Sequence, residues 1–187
     1  MSDPLILGFD TSAAHCAAAL LSGDRILAAR GEEMARGQAE RLMPLLEEVL
    51  DEGGATWADL ARIGVGVGPG NFTGIRISVA TARGLAFALE IPAIGVSTLD
   101  ATDGPCPVVP APRDMAYART PGRAVELLPR VDLPAEVTWP PAPEALAAAI
   151  ARRAQGAVPG APPAPLYVRP ADAAPARDAP PRILDEA

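Results

Sequence analysis

Ile63-Gly64-Val65-Gly66-Val67-Gly68-Pro69-Gly70-Asn71-Phe72-Thr73-Gly74-Ile75, running on without a break to Glu90, is the stretch on which the fold turns. Residues 63–67 alternate aliphatic side chains with glycine, the pattern of a strand onto which another backbone packs closely. Gly68 to Gly74 reads as a turn. Beyond it Ile75, Val79, Ala82, Ala86 and Leu89 recur at helical steps, a seam for a neighbouring helix. Ala80, Gly84 and Ala88 form a second stripe of small residues on the same helix. A helix apolar on more than one side is expected to be buried between a sheet and something else, and a chain this short is not expected to supply both. Ile91-Pro92 stops the helix, and Ala93 to Val96 reads as a further strand.

Upstream, Leu5 to Phe9 is a short apolar run that enters the polar turn Asp10-Thr11-Ser12, and Ala17 to Leu21 and Ile26 to Arg30 flank the Gly-centred loop Ser22-Gly23-Asp24-Arg25. This predicts three antiparallel strands with the Asp10 carboxylate and two hydroxyls at one sheet end. Leu42, Leu45, Leu46, Val49 and Leu50 then fall on one helical face, ended by Gly53-Gly54; Pro44 lies in its first turns, where a missing donor is tolerated. Thr56 and Asp59 have the spacing of a capping box. Strand, strand, strand, helix, strand, helix, strand over residues 1–104 is an α/β layered lobe.

Composition divides at the same place. Of 22 prolines, 4 lie in residues 1–104 and 18 in residues 105–187, so the second part can hold only short strands and one helix between constrained loops. Residues 1–104 carry 7 Arg against 14 acidic side chains, whereas residues 105–187 carry 9 of each. An acidic first part disfavours nucleic-acid binding by this chain alone. Cys16 and Cys106 are far apart, and the opening Met-Ser-Asp-Pro lacks a basic and apolar leader; the expectation is a cytoplasmic protein with reduced thiols. No uninterrupted apolar run reaches the roughly 18 residues of a membrane span.

The chemistry-bearing residues are few. Gly68 to Gly74 could cradle a phosphate at a helix N-terminus or simply turn the chain. It is not a P-loop, because the chain has no lysine, and its glycine spacing is not that of a dinucleotide fingerprint. Asp10 with Thr11 and Ser12 resembles the first phosphate loop of the actin-like ATPase superfamily; an equal alternative is that these side chains satisfy the amides of their own turn. His15 is the single histidine, which rules out a His-x-x-x-His metal site, and it lies too near Ser12 and Cys16 in sequence to favour triad geometry. Cys16 reads as a small core residue. Arg76 and Arg83, seven apart, share a helical face and either pair with acids across an interface or solvate the helix.

The string from Val65 through Ser78, continued by Ala82-Arg83-Gly84-Leu85-Ala86 and Ile94-Gly95-Val96-Ser97-Thr98-Leu99, closely resembles the TsaB (YeaZ) family; Ile6 to Ser12 and Gln38 to Leu45 agree with it. The resemblance covers about residues 5–101. It implies an actin-like ATPase (ASKHA, ribonuclease H-like) fold with a complete N-terminal lobe over 1–104, a shortened Pro-rich second lobe over 105–172, and a tail over 173–187. It also implies a non-catalytic scaffold role in the bacterial machinery that places threonylcarbamoyl on tRNA adenosine (t6A). The implied partners are the TsaD transferase as heterodimer and the TsaE ATPase as third member, with tRNA reached only through the complex.

By the same resemblance the docking face lies on the helices Arg36 to Glu52 and Thr73 to Glu90, with Leu42, Leu45, Leu46, Val49, Ile75, Arg76, Val79, Ala82, Arg83 and Ala86 at the interface. Left without TsaD, that seam is expected to self-associate. Asp10, Thr11, Ser12, Gly68, Gly70 and Thr73 are the candidate remnants of nucleotide or phosphate loops. No catalytic or metal residue is assigned, and ATP or ADP and metal are expected only in the complex. Where TsaD carries His-x-x-x-His, this chain has Val96 to Ala101; residues 105–187 contain no Asp-x-Gly and only Gly122, Gly156 and Gly160. The second lobe keeps Arg113, Tyr117 and a Tyr167-Val168-Arg169 terminus but lacks the family's Asp before that Arg, and one helix is expected over Pro143 to Arg153. The competing expectation is a working enzyme, either a small actin-like ATPase or kinase or a glycopeptidase-like protein of the M22 type.

Overall fold

The computed structural model describes residues 3–168. Five strands form one mixed sheet: β1 (Leu5–Asp10), β2 (His15–Ser22), β3 (Arg25–Glu33), β4 (Leu60–Gly66) and β5 (Ala93–Val96), in the order β3-β2-β1-β4-β5. The first three are antiparallel, Leu7 opposing Leu20 and Ala19 opposing Ala29. β4 and β5 add in parallel, Leu7 beside Ile63 and Val65 beside Gly95. Helices α1 (Gln38–Glu52) and α2 (Phe72–Leu89) supply the crossovers. The three antiparallel strands, the parallel pair and both helices follow the expected order.

Alternation along the strands sends each side chain to one of two layers. Leu7, Phe9, Leu20, Ile63 and Val65 meet Leu42, Leu46, Val49, Ile75 and Val79 of α1 and α2. On the opposite face Ile6, Ala17, Ala19 and Leu21 meet Leu146, Ala147, Ile150 and Ala151. Those last residues belong to α3 (Pro143–Gly156), so a helix from the Pro-rich part returns across the first sheet. The glycine alternation in β4 explains how closely it lies. A side chain at Gly8 would sit 2.5 Å from the Ala147 carbonyl, and one at Gly64 would sit 2.8 Å from Ala154 Cβ. Gly64 together with an alanine-rich helix face therefore lets backbone approach backbone.

Arg62 fixes the far end of α3. One guanidinium nitrogen donates to the carbonyls of Ala154, Gln155 and Ala157 at 2.7, 3.1 and 2.6 Å, closing carbonyls that a helix C-terminus leaves unpaired. Arg62→Ala is expected to lower the unfolding free energy by about 1–3 kcal/mol, read from the urea midpoint at unchanged slope.

The remaining strands, β6 (Val108–Ala111), β7 (Met115–Ala118) and β8 (Glu126–Pro129), form a separate antiparallel sheet in sequence order. Val108 and Ala118 with Cys106 make its small core. Further on, the chain runs back to the first sheet, where the Leu166 amide donates to the Val67 carbonyl at 2.8 Å. The tail expected over 173–187, and Arg169, lie outside the described residues.

Helix α2 is long and apolar enough to cross a membrane by composition, with mean hydropathy 1.2; here its Ile75, Val79 and Ala82 face pack onto the sheet. Cys16 is fully buried in that core. Burial, reinforced by the Glu32 carboxylate, pushes its thiol up to about 12. In a Cys106→Ser background Cys16 should therefore stay silent to a thiol-specific reagent at pH 8 and react stoichiometrically once urea unfolds the chain.

Candidate functional site

The strongest concentration of polar groups lies where β1 ends. Asp10 is fully buried, as are Thr11 and, within a few per cent, Ser12. Oxygen Oδ2 of Asp10 accepts from the Ser12 amide at 3.0 Å, the Ser12 hydroxyl at 2.9 Å and His15 Nε2 at 2.6 Å. A carboxylate can only accept, so Nε2 carries the hydrogen. The other oxygen, Oδ1, has no partner among the described residues and rests against Gly66, where any side chain would collide with it.

The Gly-rich turn is pressed onto this one. Asn71 donates its amide to the Ser12 carbonyl at 2.6 Å, and Thr11 donates its hydroxyl to the Gly74 carbonyl at 2.7 Å. A Cβ at Gly70 or Gly74 would overlap the Ser12 or Thr11 carbonyl, so these glycines serve close loop-to-loop contact. Gly68, at φ 91°, adopts the left-handed conformation that glycine tolerates, and its carbonyl accepts from the Thr98 amide at 2.9 Å. The first amides of α2 are also occupied: Asn71 Oδ1 accepts from Thr73 and Gly74 at 3.0 and 3.1 Å. Asn71 is thus an N-cap, a role its place just before the helical run would have allowed sequence reasoning to assign. Thr73 itself lies on the exposed side of the first turn.

The two candidate phosphate loops therefore satisfy each other. A phosphate would have to displace Asn71 from the helix amides, and the Asp10 carboxylate is enclosed by its own turn. Beside them a cleft of about 850 Å³ opens between the two sheets, floored by Ser12, His15 and Thr98 and walled by Pro110, Tyr117 and Trp139. Among the described residues that line it, none is Arg, Asp or Glu. The nucleotide and metal that an actin-like fold implies do not fit the described residues of this cleft: none of them is a cation to meet a triphosphate, the helix amides are capped, and the one carboxylate is buried. No group of three His, Cys, Asp or Glu side chains converges among the described residues.

A neighbouring cavity of about 460 Å³ includes Phe72, Tyr117, Arg113 and Tyr167 in its wall. Phe72 stacks on Tyr167 with centroids 5.0 Å apart. Arg76 lies 3.8 Å over the Phe72 ring and donates Nε to the Tyr167 hydroxyl at 3.1 Å. These contacts clasp the returning chain to α2.

The residues expected at a partner interface divide. Leu42, Leu45, Leu46, Val49, Ile75, Val79 and Ala82 are buried and pack on the sheet within this chain; they are core, because the sheet offers the larger apolar surface to bury. Arg76 and Arg83 face outward, and Ala86 is half-buried. What α2 presents outward is its second stripe, Ala80, Gly84 and Ala88, with Phe87 88% exposed beside it. On α1, Ala39, Glu40, Met43, Pro44, Glu47, Asp51 and Glu52 are the outward residues. The neighbouring Arg41 is spent within the chain, donating to Glu32 and Glu48 at 2.6 and 2.7 Å, and its guanidinium holds both carboxyls below the usual carboxylate range.

A sheet ordered β3-β2-β1-β4-β5, with two crossover helices on one face and one helix on the other, is the lobe of the actin-like ATPase, or ribonuclease H-like, fold. Comparison with known proteins agrees. A family model described as TsaD, tRNA N6-adenosine threonylcarbamoyltransferase, matches residues 28–103. The Escherichia coli K12 tRNA threonylcarbamoyladenosine biosynthesis protein TsaB is 39% identical over 94 residues, 50% of this chain and 40% of that protein. Among solved structures, YeaZ from Pseudomonas aeruginosa superposes with a TM-score of 0.61 at 29% identity, covering 70% of this chain and 69% of that one. A protein described as similar to peptidase YeaZ, also from Pseudomonas aeruginosa, gives 0.71 at 26%, covering 89% and 100%. These relatives and solved structures support a likeness to the TsaB/YeaZ family. The chain spans about two fifths of the length of the curated relatives it matches.

Proposed function

We propose that this chain acts in t6A biosynthesis as a non-catalytic scaffold that binds the TsaD transferase and, with TsaE, supports its activity in the cytoplasm. The observation that carries the reading is the outward face of α2. Ala80, Gly84 and Ala88 leave a smooth, close-approach surface beside an exposed Phe87, and a Cβ at Gly84 would meet nothing within 4 Å. Arg76 and Arg83 border it. Such a stripe suits a second helix, and the occupant proposed here is the corresponding helix of TsaD, a relative by sequence. In its absence a second copy of this chain takes the same place.

The mutual closure of the Asp10 and Gly68 to Gly74 turns supports the non-catalytic part of the reading, with ATP or ADP and metal belonging to the partners and tRNA reached through the complex. The test is reconstitution: TsaD, TsaE, tRNA and threonylcarbamoyl-adenylate, with and without this chain. Product should form at least tenfold faster with it, and the chain should co-elute with TsaD. Turnover of ATP or release of threonine from a peptide by the chain alone would favour a working enzyme instead.

A further inference from the structure

The cleft between the two sheets has a composition that neither the fold nor the scaffold reading uses. Its far wall is Pro110, Pro112, Pro140 and Pro141 with Trp139 and Tyr117. Trp139 is 39% exposed there, and Arg130, 4.9 Å from the ring, holds it in place. The near wall is polar but uncharged apart from one imidazole: Ser12, Asn71, Thr98 and His15. Beneath His15 lies a fully buried carboxylate with one oxygen unpartnered among the described residues, hydrogen-bonded to the imidazole through its other oxygen. A volume of about 850 Å³ is that of a small-molecule pocket, and such pockets combine apolar and aromatic walls with a few convergent polar groups.

Charge decides which ligands fit. An anion would lose its hydration to a cleft none of whose described lining residues is Arg, the nearby Arg130 guanidinium being stacked on the Trp139 ring, and against a buried carboxylate. A cation would gain nothing from Oδ1, which points at Gly66 rather than into the cleft. An uncharged ring system loses little on leaving water and gains both the Trp139 face and the proline walls. We propose that this cleft binds an uncharged small molecule carrying a flat ring, seated against Trp139 and Tyr117 with its polar edge toward His15 and Thr98. The proline enrichment of the second part then has a use, because prolines keep the wall rigid without presenting backbone donors that would need partners.

Two dyes of nearly the same ring framework test this. N-phenyl-1-naphthylamine is neutral, and 1-anilinonaphthalene-8-sulfonate adds a single negative charge. In a Trp57→Phe chain, which leaves Trp139 as the single tryptophan, the neutral dye should bind saturably at one per chain with energy transfer from Trp139. The sulfonate should bind at least tenfold more weakly, and millimolar magnesium ATP should displace neither. Ala111→Phe, which fills the cleft from β6, should weaken the neutral dye at least tenfold with circular dichroism unchanged; Ala14→Phe does the same from the floor if the first variant fails to fold. The proposal is overturned by absence of saturable binding, by equal or tighter binding of the sulfonate, by displacement with ATP, or by unchanged affinity in a folded cleft-filling variant. Association with TsaD uses the outer face of α2, so failure here leaves that reading standing.

Discussion

Gly74→Ala is expected to destabilise the chain by about 4 kcal/mol or more, although it adds one methyl group to the first turn of a helix. Intrinsic propensity argues the other way, since alanine is favoured over glycine in a helix by about 1 kcal/mol. Space overrides it. The new Cβ would overlap the Thr11 carbonyl, which is backbone and cannot swing aside. Relief requires parting the two turns, and with them the Thr11 to Gly74 and Asn71 to Ser12 hydrogen bonds. Gly84→Ala is the internal control on the same helix. With nothing within 4 Å of its Cβ, it should stabilise by about 0.5–1 kcal/mol. Urea titration of both variants against wild type reads the difference; equal midpoints would show that the turns are not in contact.

Gly84→Arg should abolish co-elution with TsaD, weakening association at least a hundredfold, while leaving the melting temperature of the free chain within a few degrees. The position is exposed and open, and arginine is a good helix former, so the free chain has no reason to suffer. A partner helix lying against Ala80 and Gly84 would meet a long charged side chain where it needs to approach most closely. Val79→Asp would not serve. Val79 is 4% exposed within the chain's own core, and a buried unpaired carboxylate there unfolds the subunit, mimicking loss of docking. Undiminished TsaD association in a folded Gly84→Arg chain removes this face from the interface.

The contrast between Val79 and Gly84 also marks where sequence periodicity was informative. The spacing of Ile75, Val79 and Ala82 locates an apolar face on α2 and, with the glycine alternation of β4, the layer it belongs to. Periodicity does not say which of two apolar faces meets the chain's own sheet. The larger aliphatic side chains bury more area and take the sheet, leaving the alanine and glycine stripe outward. The polar turn at Asp10 was likewise legible as a cluster, but its closure was not. That depends on Ser12 and Asn71 meeting across 59 residues of chain, a contact no local pattern encodes. Trp139 and the prolines around it were harder still, since a loop has no period, and their shared function as a wall exists only once β6 and α3 are in place.

The return of α3 to the first sheet has a consequence for how the protein is made. The strands through β5 are complete at residue 96, yet the helix that covers Ile6, Ala17, Ala19 and Leu21 ends at residue 156. During synthesis about 60 further residues (156 − 96) must therefore be added while one face of a finished sheet is bare. At the usual elongation rate of about 5–20 residues per second, that is an interval of roughly 3–12 seconds. A nascent chain stalled in this window is a substrate for chaperones and a seed for aggregation, and the alanine-rich helix that ends the exposure acts as the last closing step of the core.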